Sequence, residues 1–122
     1  MATLTHTVTE AHTAQAVGSG DVPVLGTPVL LAWLEATTVA ALEPELTPGT
    51  TSVGTRVEVE HSTASPVGAQ VTTTADVLRR DGRMVIFTVA AHEGSRLVAS
   101  GEVRRVVVDR ERFLARVSPV GD

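Results

Sequence analysis

The sequence predicts an α+β fold in which one long helix lies across a strongly curved antiparallel sheet of about five strands. Val and Thr are spread mainly over the second half of the chain, where apolar residues recur at every second position, the period of a strand with one buried face. A single stretch, residues 29 to 42, is apolar almost all round and too long for an ordinary strand. Tight turn signals at Asp81-Gly82 and Glu93-Gly94-Ser95 join strand-like runs so closely that the neighbours must pair antiparallel. With 122 residues and 43 % hydrophobic content, residues 1 to 122 are expected to form one domain with a real core.

Residues 4 to 9, LTHTVT, alternate and read as a first strand. Residues 10 to 26 hold a short helical turn and then Gly18, Ser19, Gly20, Asp21 and Pro23, which read as a loop placed to act as a lid. Thr27-Pro28 reads as a helix start, with the Thr hydroxyl capping free backbone N–H groups and Pro losing no needed donor. The run VLLAWLEATTVAAL that follows predicts a helix buried on several sides, ended by Glu43-Pro44 and a loop at Pro48-Gly49. From Val53 the period becomes two: Val53, Thr55, Val57, Val59 and His61 are expected on one face, with Gly54, Arg56, Glu58 and Glu60 on the other. After the Ser65-Pro66 break, residues 67 to 79 alternate with Val67, Ala69, Val71, Thr73, Ala75 and Val77 in phase. Residues 83 to 92 and 96 to 108 complete the strands, and Asp109 is placed to cap a short terminal helix through Phe113 and Leu114. One helix on one sheet leaves a sheet edge or part of the helix uncovered, which favours a dimer.

Composition excludes several classes of function. Without Cys there is no disulfide, thiolate nucleophile, zinc ribbon or iron–sulfur site. The formal charge is −4, the pI is near 5.5, and all ten cations are Arg, so no basic face is expected to hold nucleic acid. Two Phe, one Trp and no Tyr leave little with which to stack bases. The opening MATLTHTVTE has neither a basic start nor an apolar run, so no signal peptide is expected, and no apolar run approaches the ~20 residues of a membrane span. A cytoplasmic protein is the expectation that remains.

Three residues interrupt the packing pattern. Glu35 sits inside the apolar helix, where an unpaired buried carboxylate costs several kcal/mol, so it either lies on a narrow wet stripe or serves as a general base or nucleophile with a pKa raised by its surroundings. His61 is in phase with the apolar face of its strand and is either a satisfied buried imidazole or a catalytic one. Thr27 taken alone is a helix cap. His6, His12 and His92 show no partner pattern, and no metal site is expected. At ~1.5 Å rise per residue, Thr27 and Glu35 lie ~12 Å apart along one helix. One chain therefore cannot bring both to the same small carbonyl, and joint action requires a site shared between subunits, or a Thr27 that serves the far end of the ligand.

The stretches TPVLLAWLEATTVAAL and TPGTTSVGTRVEVEHSTASPVGAQV, within residues 20 to 116, resemble hotdog-fold acyl-CoA thioesterases of the fluoroacetyl-CoA thioesterase type. The resemblance implies a hotdog fold, with the helix wrapped by the sheet, and a homodimer or dimer of dimers with sites at the interface. The family's catalytic Thr, Glu and His fall on Thr27, Glu35 and His61, and its glycine, where backbone approaches the thioester oxygen, on Gly54. An Arg late in the last strand, matching Arg105, is implied to bind ligand or support the site. The family's fluoroacetyl selectivity depends on an aromatic lid, whereas residues 10 to 26 here contain no Phe, Tyr or Trp, so thioester hydrolysis is carried over and fluoroacetate detoxification is not.

The implied reaction is hydrolysis of an acyl-CoA thioester to free acid and coenzyme A, with no cofactor beyond the coenzyme A of the substrate. Glu35 either activates water or attacks to form an anhydride, with the first as the working choice. Arg56, Arg79, Arg80, Arg83 and Arg104 are candidates to meet the coenzyme A phosphates. Rival readings are a hotdog hydratase or dehydratase, a non-catalytic acyl-CoA binding module, and a structural or interaction protein.

Overall fold

A computed structural model describes residues 1–117, 119 and 120. The chain runs β1 (Ala2–Thr7), a 3-10 turn at Glu10–His12, α1 (Ala14–Val17), α2 (Thr27–Leu42), a second 3-10 turn at Glu43–Glu45, β2 (Thr50–His61), β3 (Gln70–Asp81), β4 (Met84–Glu93), β5 (Arg96–Asp109) and α3 (Arg110–Ala115). The five strands form one antiparallel sheet in the order β1-β3-β4-β5-β2, curled around α2 in the hotdog arrangement. The first strand begins and ends two residues earlier than its alternation predicts. The third begins at Gln70 rather than at 67, because Pro66 and Val67 are drawn into the turn that leads into it.

Helix α2 lays Leu30, Leu34, Thr37 and Leu42 against Val71, Ala75, Phe87, Val89 and Val103 of the sheet. The hydroxyl of Thr37 is satisfied inside this core by the Trp33 carbonyl at 2.8 Å and by the Thr73 hydroxyl at 2.7 Å. Burial on several sides is not what a single chain achieves. Ala32, Ala36 and Val39 form an exposed apolar stripe along the face turned away from the sheet. The start of the helix also differs from expectation: Gly26 is the N-cap, and Thr27 and Pro28 already lie in the first turn. The Thr27 hydroxyl is therefore not a cap and is free for another partner. At the far end of the chain, Asp109 does cap α3, accepting from Arg112 N at 2.9 Å.

Strand β2 does not keep one phase. Its ladder with β5 pairs Gly54 with Arg105 and Arg56 with Arg104, so Thr55 is an extra residue in a bulge. Directly paired residues point to the same side of a sheet, and Arg105 and Val103 share the helix side, so Ser52 and Gly54 face α2 before the bulge and Val57, Val59 and His61 after it. Val53 and Thr55 are not on the His61 face, contrary to a uniform alternation. A second bulge between Val77 and Arg79 turns the end of β3 in the same way, and Val77 is exposed rather than in the core.

Residues 10 to 26 form a wall fastened at its ends by backbone hydrogen bonds. Ala14 N donates to Val24 O at 2.8 Å, Gly26 N to His12 O at 2.9 Å, and Leu25 N to Ser65 O at 2.8 Å. Where β5 pairs with β2 opposite Val59, a Cβ at Gly101 would strike the Glu58 carbonyl oxygen and crowd Val59 Cα, so the two strands lie this close only because Gly stands there. Gly101→Ala is expected to cost about 2 kcal/mol and to lower Tm by roughly 6 to 12 °C, measured by calorimetry; an unchanged Tm would mean that the pairing of β5 with β2 does not depend on glycine there.

Candidate active site

Two clusters of polar side chains stand at different points along α2. The first forms where the helix begins. His61, the last residue of β2, points at the first turn, and its Nδ1 shares a 2.8 Å hydrogen bond with the freed Thr27 hydroxyl. Burial lowers the His61 pKa below its usual 6.5, favouring the neutral ring. The other ring nitrogen, Nε2, is buried without a hydrogen-bond partner, a state that costs free energy unless a bound group meets it. A cavity of about 260 Å³ opens beside the pair, between the 14–25 wall and the residues that follow His61.

The second cluster forms two turns further along the helix. Glu35 points toward the β2 bulge, and Arg105 Nη1 donates to its Oε2 at 3.2 Å. Arg105 is almost fully buried, with 8 % of its side chain exposed, against 38 % for Glu35. Two further donors go to Ser52, Nε giving to Oγ at 2.9 Å and Nη2 to the carbonyl at 3.2 Å. The charge expected to be alone in an apolar helix thus has a guanidinium partner and an open side, so apolar isolation does not describe Glu35. Gly54 leaves the room that the Glu35 carboxylate occupies, since a Cβ at that position would meet it and push it aside.

All five residues singled out in the sequence fall in these clusters, Thr27 with His61 and Glu35 with Gly54 and Arg105. The structure does not bring the clusters together within one chain, because the helix keeps Thr27 and Glu35 ~12 Å apart. Ser52 was not found by sequence reasoning. Its position two residues before Gly54 becomes informative only once the bulge fixes which face both occupy. The N-terminal histidines also have a partner that their spacing does not disclose. The His6 ring stacks on Trp33 at 4.4 Å and 3° between planes, and His12 meets the same indole edge-on at 5.1 Å. Among the described residues no three His, Cys, Asp or Glu side chains assemble a metal site, and no helix is long and apolar enough to cross a membrane.

The sequence profile of the FlK family, described as fluoroacetyl-CoA-specific thioesterase, matches residues 8–111. The fluoroacetyl-CoA thioesterase of Streptantibioticus cattleyicolor is 37 % identical over 94 residues, which span 77 % of this chain and 68 % of that protein. A crystal structure of a variant of the fluoroacetyl-CoA-specific thioesterase FlK in complex with fluoroacetate and CoA superposes with a TM-score of 0.88 at 31 % identity, covering 93 % of this chain and 94 % of the other. A thioesterase superfamily member from Thermus thermophilus superposes at 0.87 with 25 % identity, covering 93 % and 85 %.

The inequality of burial in the ion pair sets the order of two mutational costs. Glu35→Gln leaves a buried guanidinium without a counter-charge and is expected to cost about 2 kcal/mol, whereas Arg105→Met leaves a carboxylate that water still reaches and costs less. Urea denaturation of both variants reads the order, and the reverse order would show that Glu35 is the more desolvated partner. The histidines predict a pH dependence. His6 is held below its usual 6.5 first by burial and then by His12, so stability is complete above 6.5 and is lost as pH falls through the folded value. The fluorescence of Trp33, the one tryptophan, and the Tm are expected to show this decline, with a shallower slope in His6→Gln. An unaltered slope in that variant would exclude His6 as the source.

Proposed function

The chain belongs to the fluoroacetyl-CoA-specific thioesterase family and is an acyl-CoA thioesterase of that type, and from that premise we propose that Thr27, Glu35 and His61 carry out the hydrolysis at a site shared by two subunits. The observation that carries this reading is the Thr27–His61 hydrogen bond beside an open cavity, with Glu35 out of reach along the same helix. The Glu35 that works with a given Thr27–His61 pair is then Glu35 of the partner subunit.

The edge of the sheet supports that arrangement. β2 is an edge strand of 12 residues whose outer backbone groups are unpaired within the chain, and beside it runs the exposed stripe Ala32, Ala36 and Val39. Pairing two β2 edges antiparallel about a two-fold axis places the His61 end of one strand alongside the Ser52–Gly54 end of the other. The same step buries both apolar stripes. It completes each half-site with the other half from its neighbour, and a homodimer, alone or in a dimer of dimers, is the assembly that follows.

In this reading the acyl carbonyl oxygen is held by a backbone N–H near Gly54, where negative charge develops. Glu35 takes a proton from water as its oxygen attacks the carbonyl carbon. The tetrahedral intermediate collapses with cleavage of the C–S bond. Thr27 donates its hydroxyl hydrogen to His61 Nδ1, which places the ring's own proton on Nε2, and the Nε2–H hydrogen-bonds the departing thiolate. The proton that Glu35 took from water passes through solvent to the thiolate, which leaves as the free thiol of coenzyme A. Arg105 is a positioning residue that fixes the carboxylate through the link to Ser52. No cofactor is needed beyond the coenzyme A of the substrate. Of the arginines available to its phosphates, Arg56 and Arg80 are paired with Glu58 and Glu45, which leaves Arg79, Arg83 and Arg104.

Free-thiol release from an acyl-CoA panel is the direct test, and a chain without cysteine adds no thiol background. Glu35→Gln and His61→Ala are each expected to lower kcat by at least 100-fold while remaining folded. Activity should also fall as pH drops below the ordinary histidine range, because a protonated His61 cannot accept from Thr27. Mixing the two inactive variants under exchange conditions should restore about a quarter of the sites, since a mixed dimer holds one site with both native residues. A mixture as inactive as its parents would place all three residues in one subunit's site. Absence of thiol release from every thioester would leave a binding module.

A further inference from the structure

The cavity beside Thr27 and His61 carries information about the acyl group that the catalytic residues do not. Its wall is built from Ala14, Val22, Val24 and Leu25. No charged side chain and no Phe or Trp lines it, and apart from the His61 ring its polar lining is hydroxyl groups. The wall is held in place at both ends. Gln15 N donates to Val22 O at 3.3 Å and Ala14 N to Val24 O at 2.8 Å, while Val24 also bridges to Pro66. Ala14 is wedged where a Cβ on Gly20 would lie 3.2 Å from its own Cβ, and one on Gly26 would lie 3.1 Å from its backbone. A wall fastened in this way gives the cavity a defined apolar side.

The size and the lining limit what fits. The space of about 260 Å³ is larger than the two carbons of an acetyl chain fill. Within this chain the wall beyond the carbonyl is Ala14, Val22, Val24 and Leu25, so acyl chains are told apart there by the apolar area they bury. We propose that this cavity is the acyl pocket and that the substrate class is the coenzyme A thioesters of short aliphatic acids, straight or branched, of about four to six carbons, with Ala14, Val22 and Val24 setting the limit.

This inference rests on the thioesterase reading for its chemistry but not for its measurement. Two series test it. In the first, kcat/KM is measured for acetyl-, fluoroacetyl-, butyryl-, isovaleryl-, hexanoyl- and dodecanoyl-CoA, each relative to its uncatalysed alkaline hydrolysis. The expected gain is about fourfold per added methylene up to hexanoyl, followed by a fall at dodecanoyl, with fluoroacetyl within tenfold of acetyl. In the second, the Kd of S-alkyl-CoA thioethers, which cannot be hydrolysed, is measured over the same chain lengths and should improve by a similar factor per methylene. Val22→Phe should shift both series toward the shortest chain, changing the hexanoyl-to-acetyl ratio by at least tenfold, and Val24→Ala should shift them the other way.

A flat profile, a preference for fluoroacetyl over acetyl beyond 100-fold, or profiles unmoved by both variants would overturn the assignment while hydrolysis itself stood. A graded thioether series without thiol release from any thioester would instead sink the hydrolase reading and leave the pocket in place.

Discussion

Everything in this molecule is arranged around the need to bury one face of α2. The helix carries apolar residues on nearly all sides, and a flat sheet covers too little of it, so the sheet curls, with Gly101 allowing β5 and β2 to lie close where they pair. Leu30, Leu34 and Leu42 are thereby taken from water, and Thr37 is tolerated among them because both of its hydroxyl bonds are made inside. A helix packed this firmly is a rigid rod. Groups placed on it keep fixed separations, and the ~12 Å between Thr27 and Glu35 is such a constraint.

The bulge in β2 determines what the rod faces. Without the extra residue at Thr55, the half of the strand that precedes it would turn Val53 toward Glu35, and a β-branched side chain would occupy the place where the carboxylate now lies. With it, Gly54 and Ser52 face the helix, and Arg105 on the neighbouring strand reaches both Ser52 and Glu35. A charged pair on the inner side of a sheet is tolerable because each guanidinium nitrogen donates at least once, one to the carboxylate and two to Ser52. The same arrangement leaves one side of Glu35 open, as a group that must meet water or a ligand requires.

The N-terminal quarter of the chain is tied to this core through its aromatic contacts and its backbone. His6 and His12 close on the two available surfaces of Trp33, and His6 Nε2 reaches Thr73 at 3.1 Å, joining the hydroxyl pair that satisfies Thr37. From there the chain passes into α1 and the stitched segment that walls the cavity. The wall's position thus depends on β1, on the indole and on the helix together.

Much of this was legible in the residues. The change of period at Val53, the turn signals and the apolar run disclosed the helix and the last four strands, because those features follow from the alternation of side chains and from the local preferences of Gly, Pro and Asp. Glu35, His61 and Thr27 stood out because each departs from a local pattern. What only the tertiary structure decided depends on contacts between segments far apart in sequence: the Gly26 cap that frees the Thr27 hydroxyl, the bulge that turns Gly54 inward, the pairing of Glu35 with Arg105, the fastening of the 10–26 segment, and the meeting of His6 and His12 on Trp33. Periodicity reports which face a residue takes only while the register is unbroken. One inserted residue reverses that face, and nothing local marks where the neighbouring strand will force the insertion.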